Sequence, residues 1–178
     1  MPSSLVSIKP SSVLPSPISP PMNTHSIHSI HTNNTTAATP ALLFSLRIQV
    51  HAIPTVLAWL NRELRRNILP LLADLFMFDP THVRLRDAFI VKYEAGKQSR
   101  LPTHVDESLF SFTVLLNDPS EFDGGGTFFE AIGGAVAGVG KGGMVSFSGR
   151  VRHGGVGITR GARYILAAFL HLRVPCAA

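Results

Sequence analysis

The sequence predicts a mainly β protein of the sandwich or jelly-roll kind, preceded by one or two supporting helices. Three observations carry that expectation. From Val83 onward, helical spacing gives way to short runs rich in Val, Ile, Phe and Tyr, as half-buried strands require. Turn clusters interrupt those runs at Asn117-Asp118-Pro119, at Asp123-Gly124-Gly125-Gly126 and from Gly138 to Gly143. Many short strands with Gly-rich turns bury their apolar faces by pairing two sheets, not by bundling helices.

Each element can be justified in order. Residues 1–40 are dominated by Ser, Pro, Thr and Asn and have few large apolar side chains to offset their ordering entropy, so a disordered tail is expected. No Asp or Glu precedes Glu63, and a Ser-rich, acid-poor start is shared by organelle transit peptides, although Arg is missing from it. His25, His28 and His31 recur every third residue and read as incidental members of a polar segment, with no metal role assigned.

The domain itself is expected over residues 41–178, with helical support over 55–78 and a β core over 83–172. Thr55 is placed to cap a helix whose apolar positions Val56, Leu57, Leu60, Leu64 and Ile68 share one face, while Arg62, Glu63, Arg65 and Arg66 take the other. Pro70 should kink or end it, leaving Leu71 to Phe78 for a second short helix. Strands are expected at Val83 to Tyr93, Phe110 to Leu116, Thr127 to Phe129, Gly143 to Phe147, Val151 to His153 and Arg163 to Leu172.

Composition narrows the function classes. With 178 residues the chain suits one domain plus a tail. Its formal charge is +5, but the Arg residues are scattered and form no basic block, which argues against nucleic-acid binding. Cys176 is the single cysteine, so neither an intrachain disulfide nor a cysteine metal cluster can form. The apolar stretch from Ala41 to Leu60 is broken by Arg47, Gln49, His51 and Pro54, so no membrane span is expected. A soluble protein, cytoplasmic or organellar, is the expectation.

The chemistry gathers in two segments. In Leu101-Pro102-Thr103-His104-Val105-Asp106, an extended backbone puts His104 and Asp106 on one side, because residues two apart in a strand share a face. His153 follows far enough along for another strand to carry it to the same point. Two imidazoles and one carboxylate with open positions opposite form the ligand set of non-haem Fe(II) oxygenases. Ten residues on, Arg163 opens the apolar run Tyr164-Ile165-Leu166-Ala167-Ala168-Phe169-Leu170. A guanidinium there needs an anion, and its planar fork suits a carboxylate. Gly124 to Gly126 lack the Lys-Ser/Thr and helix of a phosphate loop and read as a tight turn.

These residues also carry a resemblance. Val91-Lys92-Tyr93-Glu94-Ala95-Gly96, Leu101 to Asp106, Phe122 to Phe129, Gly149-Arg150-Val151-Arg152-His153-Gly154-Gly155 and Thr159-Arg160-Gly161-Ala162-Arg163-Tyr164 occur in the order of the Fe(II)/2-oxoglutarate dioxygenase catalytic domain. The sequence is most similar to the branch holding procollagen lysyl hydroxylases and prolyl 4-hydroxylases. Arg163 stands where collagen-type prolyl 4-hydroxylases usually carry Lys, which tilts the likeness toward the lysyl branch.

The resemblance implies a double-stranded β-helix in which His104, Asp106 and His153 hold Fe(II). It implies that Arg163 takes the distal carboxylate of 2-oxoglutarate and that Tyr93 offers it a phenol. O₂ would be the second cosubstrate, ascorbate the reductant, and a peptide or protein the substrate. The expected reaction is hydroxylation of an unactivated carbon, in a lysine or proline residue, with release of succinate and CO₂. A catalytically degenerate jelly roll that binds metal or 2-oxoglutarate without turnover is the alternative, and a zinc hydrolase on the same ligands is a third reading.

Overall fold

The computed structural model of the protein describes residues 6–8 and 46–173. Most of the expected disordered tail, including its three histidines, and Cys176 lie outside the described residues. Within the tail, however, Val6–Ile8 forms a short strand, β1, paired antiparallel with Met144 to Ser146. β2, Leu46–Gln49, follows and pairs with Phe89 to Lys92.

Next comes a helical segment that differs from expectation at both Thr55 and Pro70. Helix α1, Pro54–Glu63, begins at Pro54 and takes Ile53 as its cap, with no side-chain cap bond. Proline's fixed φ and missing N–H suit the first helical position, so Thr55 falls inside the first turn instead of before it. Pro70 neither breaks nor sharply ends the helix. From Leu64 to Ile68 the backbone winds as a π-helix, the Leu69 N–H reaching back five residues to the Leu64 carbonyl. Helix α2, Leu69–Phe76, restarts there with Pro70 in its first turn, where no N–H is required of it. α2 ends at Met77 in a left-handed conformation, φ 55°.

The remaining strands are β3 Val83–Glu94, β4 Leu101–His104, β5 Phe110–Leu115, β6 Phe122–Gly124, β7 Thr127–Phe129, β8 Gly134–Val136, β9 Met144–Ser148, β10 His153–Gly155 and β11 Ile158–Leu172. They form two antiparallel sheets. The larger runs β1-β9-β5-β11-β3-β2, with β6 alongside the start of β11; the smaller runs β4-β10-β7-β8. This is the jelly roll that the strand pattern predicts.

Period-two alternation divides the two faces of the large sheet. Ala88, Leu166, Ala168 and Leu170 pack with Leu60, Leu64 and Leu72 of the helical segment into the main core. Val91, Tyr93 and Ile165, from the alternate positions, form a second cluster on the inner side. The helices thus cover the outer face, leaving the space between the sheets for the chemistry-bearing side chains.

Candidate functional site

β4 and β10 lie side by side, with His104 and His153 in direct register, so the two imidazoles stand across from each other at 4.4 Å between ring centroids. Each ring is oriented by the backbone two residues before it: His104 Nδ1 lies 2.9 Å from the Pro102 carbonyl, and His153 Nδ1 lies 2.9 Å from the Val151 carbonyl. A carbonyl only accepts, so each Nδ1 carries the hydrogen and the Nε2 lone pair is left facing the site when the ring is neutral.

Asp106 completes the group by a route the strand argument did not foresee. β4 ends at His104, and Asp106 lies in the following loop, where its N–H donates to the Gly149 carbonyl at 2.8 Å. This backbone bond does the job that a shared strand face was expected to do. Asp106 Oδ1 comes within 3.3 Å of His104 Nε2, and Oδ2 within 3.6 Å of His153 Nε2. All three donor atoms lie within 4.8 Å of one another.

An ion with bonds of about 2.1 Å needs donors about 3 Å apart when they meet it at right angles, and the two His–Asp separations of 3.3 and 3.6 Å lie near that span. The donor chemistry, two imidazoles and a carboxylate, suits Fe(II). Burial pushes the Asp106 carboxyl up, but hydrogen bonds from His104 and Ser111 and the nearby imidazoles outweigh it and hold the carboxyl below its ordinary value. The hydrogen bond to Asp106 raises His104, against burial. Burial lowers His153, which Phe147 backs at 4.4 Å between centroids.

His104, Asp106 and His153 open onto a cavity of about 340 Å³ whose wall also holds Tyr93 and Arg163. These last two are direct partners across β3 and β11. Arg163 is 9% exposed, and among the described residues no carboxylate lies within 4.0 Å of its guanidinium. Burial lowers its pKa, with Tyr93 opposing, and burial raises that of Tyr93, with Arg163 opposing. Burying a cation beside a cavity without a counter-ion is costly, and an anion in that cavity would offset the cost.

Gly154 and Gly155 allow the close approach of β10 to β4. A Cβ on Gly154 would meet the Leu101 carbonyl oxygen at 2.8 Å, and one on Gly155 would meet the Leu101 backbone nitrogen at 3.3 Å. Arg160, by contrast, turns outward and pairs with Asp123 at 2.6 Å. Gly124 to Gly126 form the turn between β6 and β7, all with positive φ.

Two participants escaped the sequence argument. Arg47, on β2, reaches the cavity wall and lays its guanidinium 4.9 Å from the centre of the Phe89 ring. Ser111, on β5, donates from its hydroxyl to Asp106 Oδ2. A lone Ser at an inward position of Phe110-Ser111-Phe112 was the available signal; Arg47 offered none.

No family model matches the chain. Among curated proteins it is 34% identical over 115 residues to the rat "Multifunctional procollagen lysine hydroxylase and glycosyltransferase LH3", a match covering 63% of this chain and 15% of that protein. It is 31% identical over 113 residues to human "Procollagen-lysine,2-oxoglutarate 5-dioxygenase 1", covering 62% of this chain and 16% of that one. The chain therefore spans about a sixth of these relatives.

Among solved structures, a 2OG-Fe(II) oxygenase family protein from Burkholderia pseudomallei aligns with a TM-score of 0.56 at 20% identity, covering 67% of this chain and 59% of that one. A viral collagen prolyl hydroxylase from Paramecium Bursaria Chlorella virus-1 aligns at 0.51 with 17% identity, covering 73% and 80%. Two imidazoles, one acid and a buried guanidinium around one cavity accompany these likenesses: the chain is similar in sequence to the procollagen lysine hydroxylases and has the fold of the 2-oxoglutarate-Fe(II) oxygenases.

Proposed function

We propose that this chain is an Fe(II)- and 2-oxoglutarate-dependent dioxygenase that hydroxylates an unactivated carbon of a peptidyl lysine or proline. The observation that carries the reading is the single cavity shared by His104, Asp106, His153 and Arg163, whose guanidinium has no carboxylate within 4.0 Å among the described residues. In this proposal His104, Asp106 and His153 hold the iron from one side. Fe(II), when bound there, supplies O₂ activation coupled to decarboxylation of 2-oxoglutarate to succinate.

The remaining roles fall to the chain. Arg163 receives the distal carboxylate of 2-oxoglutarate through its planar fork, and the Tyr93 hydroxyl beside it donates a hydrogen bond. Phe147 and Phe129, packed behind His153, keep water from that ring. The apolar wall of Val91, Leu101 and Ile165 shields the cosubstrate's carbon chain. Ascorbate is the expected reductant. A peptide substrate is supported by the collagen-lysine relatives alone, whose names specify that substrate for themselves.

The test is succinate formation from 2-oxoglutarate with Fe(II) and O₂, alone and with lysine- or proline-containing peptides, followed by mass spectrometry of the peptide. Succinate that depends on Fe(II), and a peptide heavier by one oxygen, are the expected results. Full activity of His153→Ala would reject the assignment. Turnover with Zn²⁺ in the absence of O₂ would replace it with a hydrolase.

A further inference from the structure

We propose that Ser108 and Ser111 form a positioning relay that fixes how the Asp106 carboxylate faces the two imidazoles. The inference rests on the metal-binding reading above. Both serines are buried, at 5% and 2% exposure. Ser111 Oγ donates to Asp106 Oδ2, and Ser108 Oγ lies 2.8 Å from Ser111 Oγ. An ionised carboxylate can only accept, so the Ser111 hydrogen is committed to Asp106. The Ser111 oxygen must then accept from Ser108, which gives the relay a single direction.

The relay answers a structural need. Asp106 lies past the end of β4, in a loop, whereas Ser111 is the second residue of β5, held between β11 and β9 and paired with Phe169 and Phe147. A carboxylate on a loop is therefore braced by a strand of the opposite sheet. The neighbouring backbone is shaped around the relay: a Cβ on Gly149 would come within 2.1 Å of Ser108 Oγ.

The consequence lies in the coordination sphere. The Ser111 bond fixes the plane of the carboxylate, so that Oδ1 lies 3.3 Å from His104 Nε2 and Oδ2 lies 3.6 Å from His153 Nε2. Without it, a carboxylate carried on a loop is free to turn away from the imidazoles, and the donor set loses its geometry.

Titration of the metal-free protein with Co²⁺, followed by visible absorption, tests this without turnover. Ser111→Ala is expected to weaken Co²⁺ binding by about 10- to 100-fold, as loss of an orienting partner does, and to change the visible band. Ser108→Ala, which spares the bond to Asp106, is expected to lose less. Ser111→Thr and Ser111→Val match each other in shape, so their difference isolates the hydroxyl. Thr should stay near wild type and Val should follow Ala, with urea midpoints of the metal-free variants measured alongside.

Wild-type Kd and spectrum in Ser111→Ala, or equal behaviour of the Thr and Val variants, would overturn the relay. Wild-type protein that fails to bind Co²⁺ would instead sink the metal-binding reading on which it rests.

Discussion

Replacing Arg163 with Met, a side chain of similar length without charge, should move stability and cosubstrate binding in opposite directions. The guanidinium is 9% exposed and, among the described residues, has no carboxylate within 4.0 Å. If a buried ion pair held it, breaking the pair would cost about 3–5 kcal/mol of stability. With no such pair, removing the charge relieves a desolvation penalty that the folded protein otherwise bears alone. The metal-free variant is therefore expected to be as stable as wild type or more so in urea.

Binding should respond the other way. Hydrogen bonds to a charged group contribute about 1.5–3 kcal/mol, and each 1.4 kcal/mol is about tenfold. The KM for 2-oxoglutarate should accordingly rise by about 10- to 150-fold, with the Fe(II) requirement little changed. Two assays decide the matter: equilibrium urea unfolding, and succinate formation at graded 2-oxoglutarate. An unchanged KM, or a stability loss of several kcal/mol, would refute the argument and make Arg163 a structural residue.

Other outcomes follow from the same coordinates. Gly154→Ala would push a Cβ to 2.8 Å from the Leu101 carbonyl oxygen, prising β10 from β4; a cost of about 1–3 kcal/mol in urea is expected, with weaker Co²⁺ binding because His153 shifts away from His104. Met77→Gly removes a Cβ from a left-handed residue that is 87% exposed and so loses little packing; thermal melts should show a gain approaching about 1 kcal/mol. Asp118 is held below its ordinary value, first by the Ser120 N–H and then by the Ser120 hydroxyl. A depressed carboxyl contributes stability above its unfolded pKa and loses it as pH falls through the folded one. Asp118→Asn, which can still cap, should therefore match wild type near neutrality and show a flatter loss of Tm below about pH 4.

Much of the fold and of the site is legible in the sequence. His104, Asp106, His153 and Arg163 stood out because polar, metal-capable or charged side chains in apolar strands require partners, and the structure brings all four to one cavity. The long strands were legible from β-branched and aromatic runs. β2, β6 and β8, at three or four residues each, are too short for alternation to register. The last strand starts at Ile158, five residues before the expected Arg163, because β6 pairs with its polar first part and makes strand out of what reads as a turn. Asp106 reaches the imidazoles by a route the strand pattern does not supply: a long-range bond to Gly149 sets its position, and such bonds leave no periodic trace.

The wide turn at Leu64–Ile68 does more than spare Pro70. At about 100° per residue, twelve residues of unbroken α-helix would rotate Leu72 about 120° away from Leu60, yet both are fully buried against the same sheet. The extra residue in the π turn takes back about one step of that rotation and restores the two leucines to a common line. The insertion is thus a phase correction built into the helix. Deleting Asn67 would leave the leucines aligned but return Pro70 to a regular helix interior, at a cost of about 3 kcal/mol, which a simultaneous Pro70→Ala would recover.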